Sequence, residues 1–98
     1  MESRTMVRDN QLLAIFNSAH RVMKAESVLK AHNQPILLIP APRVLSTDCG
    51  LALRFDDDAH ADILEILEAE KLLPAIIFRR ISSDRYDRIW ENSSLEGP

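Results

Sequence analysis

The residues with most chemical capacity lie together between Pro40 and Gly50, in the order Pro-Ala-Pro-Arg-Val-Leu-Ser-Thr-Asp-Cys-Gly. Cys49 is the one cysteine of the chain. A cysteine sulfur attacks or exchanges only as the thiolate, so its neighbours decide what it can do. Arg43 is the one cation of the stretch and would favour the anion, while Ser46 and Thr47 add hydroxyl donors. Asp48 works against a second negative charge beside it. Gly50, directly after the cysteine, permits a positive φ and leaves the thiol sterically open. Pro40 and Pro42 fix two φ angles and bias Ile39 and Ala41 to extended backbone, so the first half of the stretch is stiff. Free cysteines are commonly small buried apolar residues. The Asp-Cys-Gly setting, between a polar loop and a strand start, instead favours a working thiol at Cys49.

The elements that must position this loop follow from periodicity. Gln11–Phe16 is a short apolar run, read as a strand. Asn17 and Ser18 offer caps for a helix in which Val22, Met23, Ala25, Val28 and Leu29 share a face, ending near His32 and Asn33 ahead of Pro35. Ile36–Ile39 is a second strand stopped by Pro40, and Leu51, Leu53 and Phe55 alternate with Ala52 and Arg54 as a third. Asp56, Asp57 and Asp58 open a second helix with Ala59, Ile63, Ile66, Leu67 and Glu70 on one side and Lys71 in its last turn, an order that suits the helix dipole. Pro74 starts a fourth strand, Ala75–Phe78. The loop from Pro40 to Cys49 is about twice the ~5 residues at which hairpin loops usually stop, and long ordered loops often carry function.

Strand, helix, strand, strand, helix, strand is the order of a ferredoxin-like α+β sandwich, with two helices on one face of a four-stranded antiparallel sheet. The first, second and fourth strands are apolar at nearly every position, whereas a sheet with one wet face should alternate. Something must cover the other face, and a homodimer through it is the favoured expectation over the C-terminal segment. In that segment Ser82–Asn92 reads as a short helix capped at Ser83 that docks Tyr86, Ile89 and Trp90. The expected organisation is a flexible arm over residues 1–10, the domain over 11–80, and an extension over 81–98 whose end is disordered.

With 98 residues, 46% of them hydrophobic and 28% charged, the chain has the size and composition of one soluble globular domain. A net charge of −3 offers no basic excess for nucleic acid. The strands also lack the aromatics of an RNA-binding sheet: Phe55 and Phe16 stand alone, and Arg79, Arg80, Arg85 and Arg88 alternate with Asp84, Asp87 and Glu91 as a mixed solvated face. No apolar run approaches the ~20 residues of a membrane span. One cysteine makes no internal disulfide, and the first ten residues hold no apolar leader, so a cytoplasmic protein is expected. Asp56, Asp57, Asp58, His60 and Asp62 suit a helix N-terminus better than a metal, having no second His or Cys at ligand spacing. His20 and His32 should face solvent.

The stretch Pro-Ala-Pro-Arg-x-Leu-Ser-x-Asp-Cys-Gly-Leu-Ala-Leu-Arg-Phe, with Phe16, Ala25-Glu26 and Leu29 upstream, resembles the Se/S-carrier-like family of small bacterial domains. The resemblance runs roughly from Leu12 to Phe78, and its core falls on Pro40, Pro42, Arg43, Ser46, Cys49 and Gly50. It implies a carrier rather than a catalyst, needing no cofactor, with Cys49 holding sulfur or selenium as a persulfide or selenosulfide. Arg43 would then stabilise the anion, and Ser46 and the Gly50 amide would donate hydrogen bonds to it. The implied partners are a sulfur- or selenium-donating enzyme and an acceptor protein. The chain lacks the Cys-Pro-x-Pro motif of the sulfur-carrier proteins to which such domains can be fused. The rival function is a small-ligand-binding or regulatory domain that holds an anion or metabolite at Arg43, with Cys49 structural. A purely structural adaptor would rest on the apolar sheet face and the Trp90 segment.

Overall fold

Why the chain folds as it does is read most directly from where its apolar residues go. A computed structural model describes residues 7–45, 47 and 49–93. Along the chain run β1 (Leu12–Ile15), α1 (Ala19–Ala31), β2 (Leu37–Pro40), β3 (Leu51–Phe55), α2 (His60–Ala69), β4 (Ile76–Ser82) and β5 (Arg85–Glu91). The strands form one sheet in the order β2-β3-β1-β4-β5, antiparallel at every pairing. This is an α+β fold, but its sheet has five strands where four were expected.

Both helices lie on one face. Val22, Ala25 and Leu29 of α1 and Ile63 and Leu67 of α2 pack with Leu12, Ala14, Phe16, Leu53, Phe55 and Ile77 in a single core. Met23, expected on the inner side of α1, is instead 52% exposed. Ser18 caps α1, its Oγ accepting from the Arg21 amide at 3.1 Å. Both helices end with a residue in the left-handed region, Asn33 (φ 60°) and Lys71 (φ 59°), and the next amide reaches back to the final turn, from Gln34 to Leu29 O and from Leu72 to Leu67 O. Lys71 therefore lies past the end of α2 rather than in its last turn, and Glu70 is an exposed cap. The Lys71 carbonyl accepts from Arg21 Nη2 at 3.2 Å, which ties α1 to the end of α2. The three aspartates lead in through a 3-10 turn, Asp57–Ala59, before α2 begins.

The segment read as a C-terminal helix is the fifth strand. Register explains the misreading: Ile77 faces Trp90 while Phe78 faces Arg88, so Ile89 is an extra residue in β5. A bulge of this kind breaks the alternation of side chains, and Ile89 and Trp90 both pack on the helix-side core. Tyr86, Ile89 and Trp90 thus acquire helical spacing inside a strand.

The opposite face is covered by the chain itself. Leu13, Ile15, Ile39 and Ala52 are buried there with Val7, and Ala41, Leu45, Phe78 and Tyr86 pack around them. The bare apolar face on which a second subunit was expected is therefore already occupied. Arg80 holds the N-terminal residues in place: Nη1 donates to Val7 O at 2.7 Å and pairs with Asp9 at 3.2 Å. Its side chain is only 13% exposed, so it does not belong to the solvated face assigned to it from sequence. Met1–Met6 and residues 94–98, including the end expected to be disordered, lie outside the described residues.

Candidate functional site

The connection between β2 and β3 begins and ends in regular pairing. Pro40 closes β2 opposite Leu51, an edge position where its missing N–H costs no ladder bond. One step further the Ala41 amide donates to Gly50 O at 2.9 Å and draws the neck of the loop together. The Leu45 amide then donates to Pro42 O at 3.0 Å, turning the chain back. Leu45 lands on the face without helices, beside Ala41 and Ile39, and leaves Arg43 and Val44 exposed at the tip. The second half of the loop is fixed by Thr47, whose Oγ1 accepts from the Gly50 amide at 3.0 Å. Gly50 has φ +72°, and a Cβ there would meet no atom within 4 Å. Its need for glycine is therefore conformational, not steric.

This geometry delivers Cys49 to the helix-side face, opposite to Leu45. The residue is half-buried and packs against the core that contains Phe16 and Leu53. Its Sγ lies 3.3 Å from Leu51 O and 3.5 Å from Phe16 O. Both neighbours are carbonyl oxygens, so the sulfur is held here as an S–H donor. Phe16 follows β1 and precedes Asn17 and the Ser18 cap, so the thiol lies beside the junction from which α1 starts. No acidic side chain stands in the first turn of α1 to oppose negative charge nearby.

The structure thus brings Cys49, Gly50, Pro40 and Thr47 to the neck of the loop and places Arg43 at its exposed tip. Gly50's amide is directed to Thr47 rather than to the sulfur, and Arg43 forms no hydrogen bond or ion pair among the described residues. Pro42 supplies the carbonyl that turns the chain. Ser46, expected as a donor, and Asp48, expected as an opposing charge, fall outside the described residues. Three contributors were missed from sequence: the Phe16 and Leu51 carbonyls, which only the closing of the loop onto the domain brings to the sulfur, and Leu45, whose apolar character within a polar loop was the available signal. Among the described residues no group of three His, Cys, Asp or Glu side chains is arranged to hold a metal ion, and no helix there is long and apolar enough to cross a membrane.

These features define a small α+β domain that presents its single thiol at the neck of a clamped loop on a sheet edge. A family model described as "Putative Se/S carrier protein-like" matches residues 11–79, from the residue before β1 into β4. The chain belongs to that family. The matched span contains the whole Cys49 loop and both helices, and stops before β5. Searches of curated proteins and of solved structures give no match to the chain.

Proposed function

We propose that the protein is a sulfur or selenium carrier that holds the chalcogen on Cys49 and passes it between partner proteins. The observation that carries this reading is family membership across the domain, joined to a sole thiol that is half-buried rather than sealed in the core. Loading is an exchange between sulfurs. The Cys49 thiolate attacks the terminal sulfur of a persulfide on a donor enzyme, the donor's sulfur–sulfur bond breaks, and the donor leaves as a thiolate. The product is a Cys49 persulfide, or a selenosulfide where selenium is transferred. Delivery repeats the step: an acceptor thiolate takes the outer atom and Cys49 leaves as its thiolate. No electrons are gained or lost overall.

The site residues have distinct parts in this reading. Releasing the thiol proton frees the sulfur from the Phe16 and Leu51 carbonyls. Gly50 and Thr47 keep the neck in shape, and Pro40 and Pro42 stiffen its approach. Arg43, exposed at the tip, and Ser46 meet the anionic outer atom or the partner that brings it. A free thiol with this task belongs in a reducing compartment such as the cytoplasm. The βαββαβ portion is best described as a ferredoxin-like sandwich to which β5 adds an edge strand.

The test is incubation of the reduced protein with a cysteine desulfurase and cysteine, followed by intact mass without reductant. One added sulfur atom in the wild type and none in Cys49→Ser is the expected result. No added sulfur in either would favour the ligand-binding reading instead.

A further inference from the structure

The sheet ends in β2 on one side and β5 on the other, and these edges differ. β5 exposes Arg85, Asp87, Arg88 and Glu91 and is bulged at Ile89. A second β5 laid antiparallel to it about Asp87 or Arg88 would set like charges face to face. Charges and bulges are common means of closing an edge to further strands. β2 has neither: its register is regular, and the chain is uncharged from Asn33 to Pro42.

The pairing of β2 shows what its edge offers. The Ala41 amide bonds to Gly50 O, so alternation makes Ile39 with Ala52 and Leu37 with Arg54 the next hydrogen-bonded pairs. Leu38 and Pro40 therefore turn their backbone polar groups away from β3, to the open edge. Pro40 has no N–H to give, which leaves Leu38 as the residue of β2 with both a donor and an acceptor there. Met23, Leu37 and Val44 are the large apolar side chains left exposed among the described residues, and the first two flank this edge. Leu37, 42% exposed, alternates with Leu38 and lies on the face without helices, as Ile39 does. Met23 is on the helix side. There α1 runs over β3 and β2, and its Arg21 flank is turned to the end of α2. Met23 is about 200° further round the helix, on the flank toward the β2 edge.

We infer that two copies of this chain join through β2, antiparallel about a two-fold axis at Leu38. A second copy is the occupant because the edge matches itself. Each Leu38 donates its N–H to the other's C=O, and each Leu37 falls opposite Ile39 of the second copy as a closely spaced pair that covers it. On the helix side the axis brings the two α1 flanks together at Met23. No charge meets a like charge along the paired strands. Because β5 is blunted, the assembly closes at two copies with one continuous sheet and does not grow. The inference goes beyond the carrier reading and does not rest on it, since Cys49 takes no part in the seam.

The experiment is sedimentation equilibrium of the full chain, with a thiol reductant present so that no Cys49 disulfide contributes. The mass should rise from one chain to two with a Kd on the order of 100 µM, as suits an interface at the small end of the size range. Leu37→Lys, at an exposed position, should weaken the dimer about tenfold by placing two like charges beside the axis. Asp87→Lys, on the other edge, should leave it unchanged. In ¹⁵N NMR spectra of the wild type at rising concentration, the amides of Leu38 and Met23 should shift and those of β5 should not. A mass of one chain up to about 1 mM, ten times that Kd, overturns the inference and leaves the edge to a strand from another protein. So does a dimer that Leu37→Lys leaves intact, or one whose formation shifts β5 instead.

Discussion

The two faces of the sheet are closed by different means. On one, α1 and α2 lay down apolar stripes whose backbone groups are already satisfied inside each helix. On the other, Val7 and the residues Ala41 and Leu45 do the covering, and they belong to irregular chain. Irregular backbone must find its hydrogen bonds one at a time. Arg80 supplies one to Val7, Gly50 supplies one to the Ala41 amide, and Pro42 supplies one to Leu45. The helix-covered face is thus held by buried area, and the loop-covered face by a few clamps. Cys49 belongs to the loop that spans both, with Leu45 seated on one face and the thiol on the other. A single segment accordingly closes part of the core and presents the reactive atom.

The largest effect should come from the helix side. Phe55, 2% exposed, sits where β3 meets both helices, and Phe55→Ala should lower stability by about 3–5 kcal/mol in urea unfolding. Leu45→Ala removes only partly buried surface and should cost about 1 kcal/mol. Its more telling consequence should be on Cys49, several-fold faster alkylation at neutral pH because the clamp over the same loop is loosened. Equal stability losses from the two changes, or an unchanged alkylation rate in Leu45→Ala, would break the contrast between the faces.

The smallest effect concerns pH. Burial raises the Tyr86 phenol above its usual range, and the nearby Asp84 charge adds to this, while Arg80 acts in the opposite sense by its charge and hydrogen bond. The folded state therefore favours the neutral phenol. That preference is fully present below the unfolded value near 10.0 and is lost as pH rises through the folded value. Tyr86→Phe should flatten this part of the alkaline decline in stability, measured by urea midpoints on either side of pH 10. An identical decline in the variant would show that Tyr86 plays no part in it.

Much of the architecture was legible because local and tertiary signals agreed. The alternation Leu51-Leu53-Phe55 gave β3 its observed bounds, and Ser18 with the Pro35 stop framed α1. β5 was not legible, since its bulge at Ile89 replaced alternation with helical spacing. The apolar runs of β1 and β4 correctly demanded cover on both faces. What supplied it was hidden: Val7 and Leu45 lie in segments that look polar, and Arg80 has nothing in sequence to mark it as a clamp. At the site, Cys49, the prolines and the need for Gly50 could be read from residue types. The partners of the sulfur and of the Gly50 amide could not, because the choice between Thr47, Phe16 and Leu51 depends on how the loop closes.

The central claim is that Cys49 itself carries the transferred atom. Trypsin should cut after Arg43 and Arg54 and release Val44–Arg54, which contains the only cysteine. The protein would be loaded by a desulfurase, capped with iodoacetamide without reductant, digested and analysed by mass spectrometry. The peptide should carry the cap plus one extra sulfur, and a reductant should split that sulfur–sulfur bond, removing the outer sulfur together with its cap and leaving the free thiol. A peptide that carries the cap alone, from protein treated with an active desulfurase, would contradict the account.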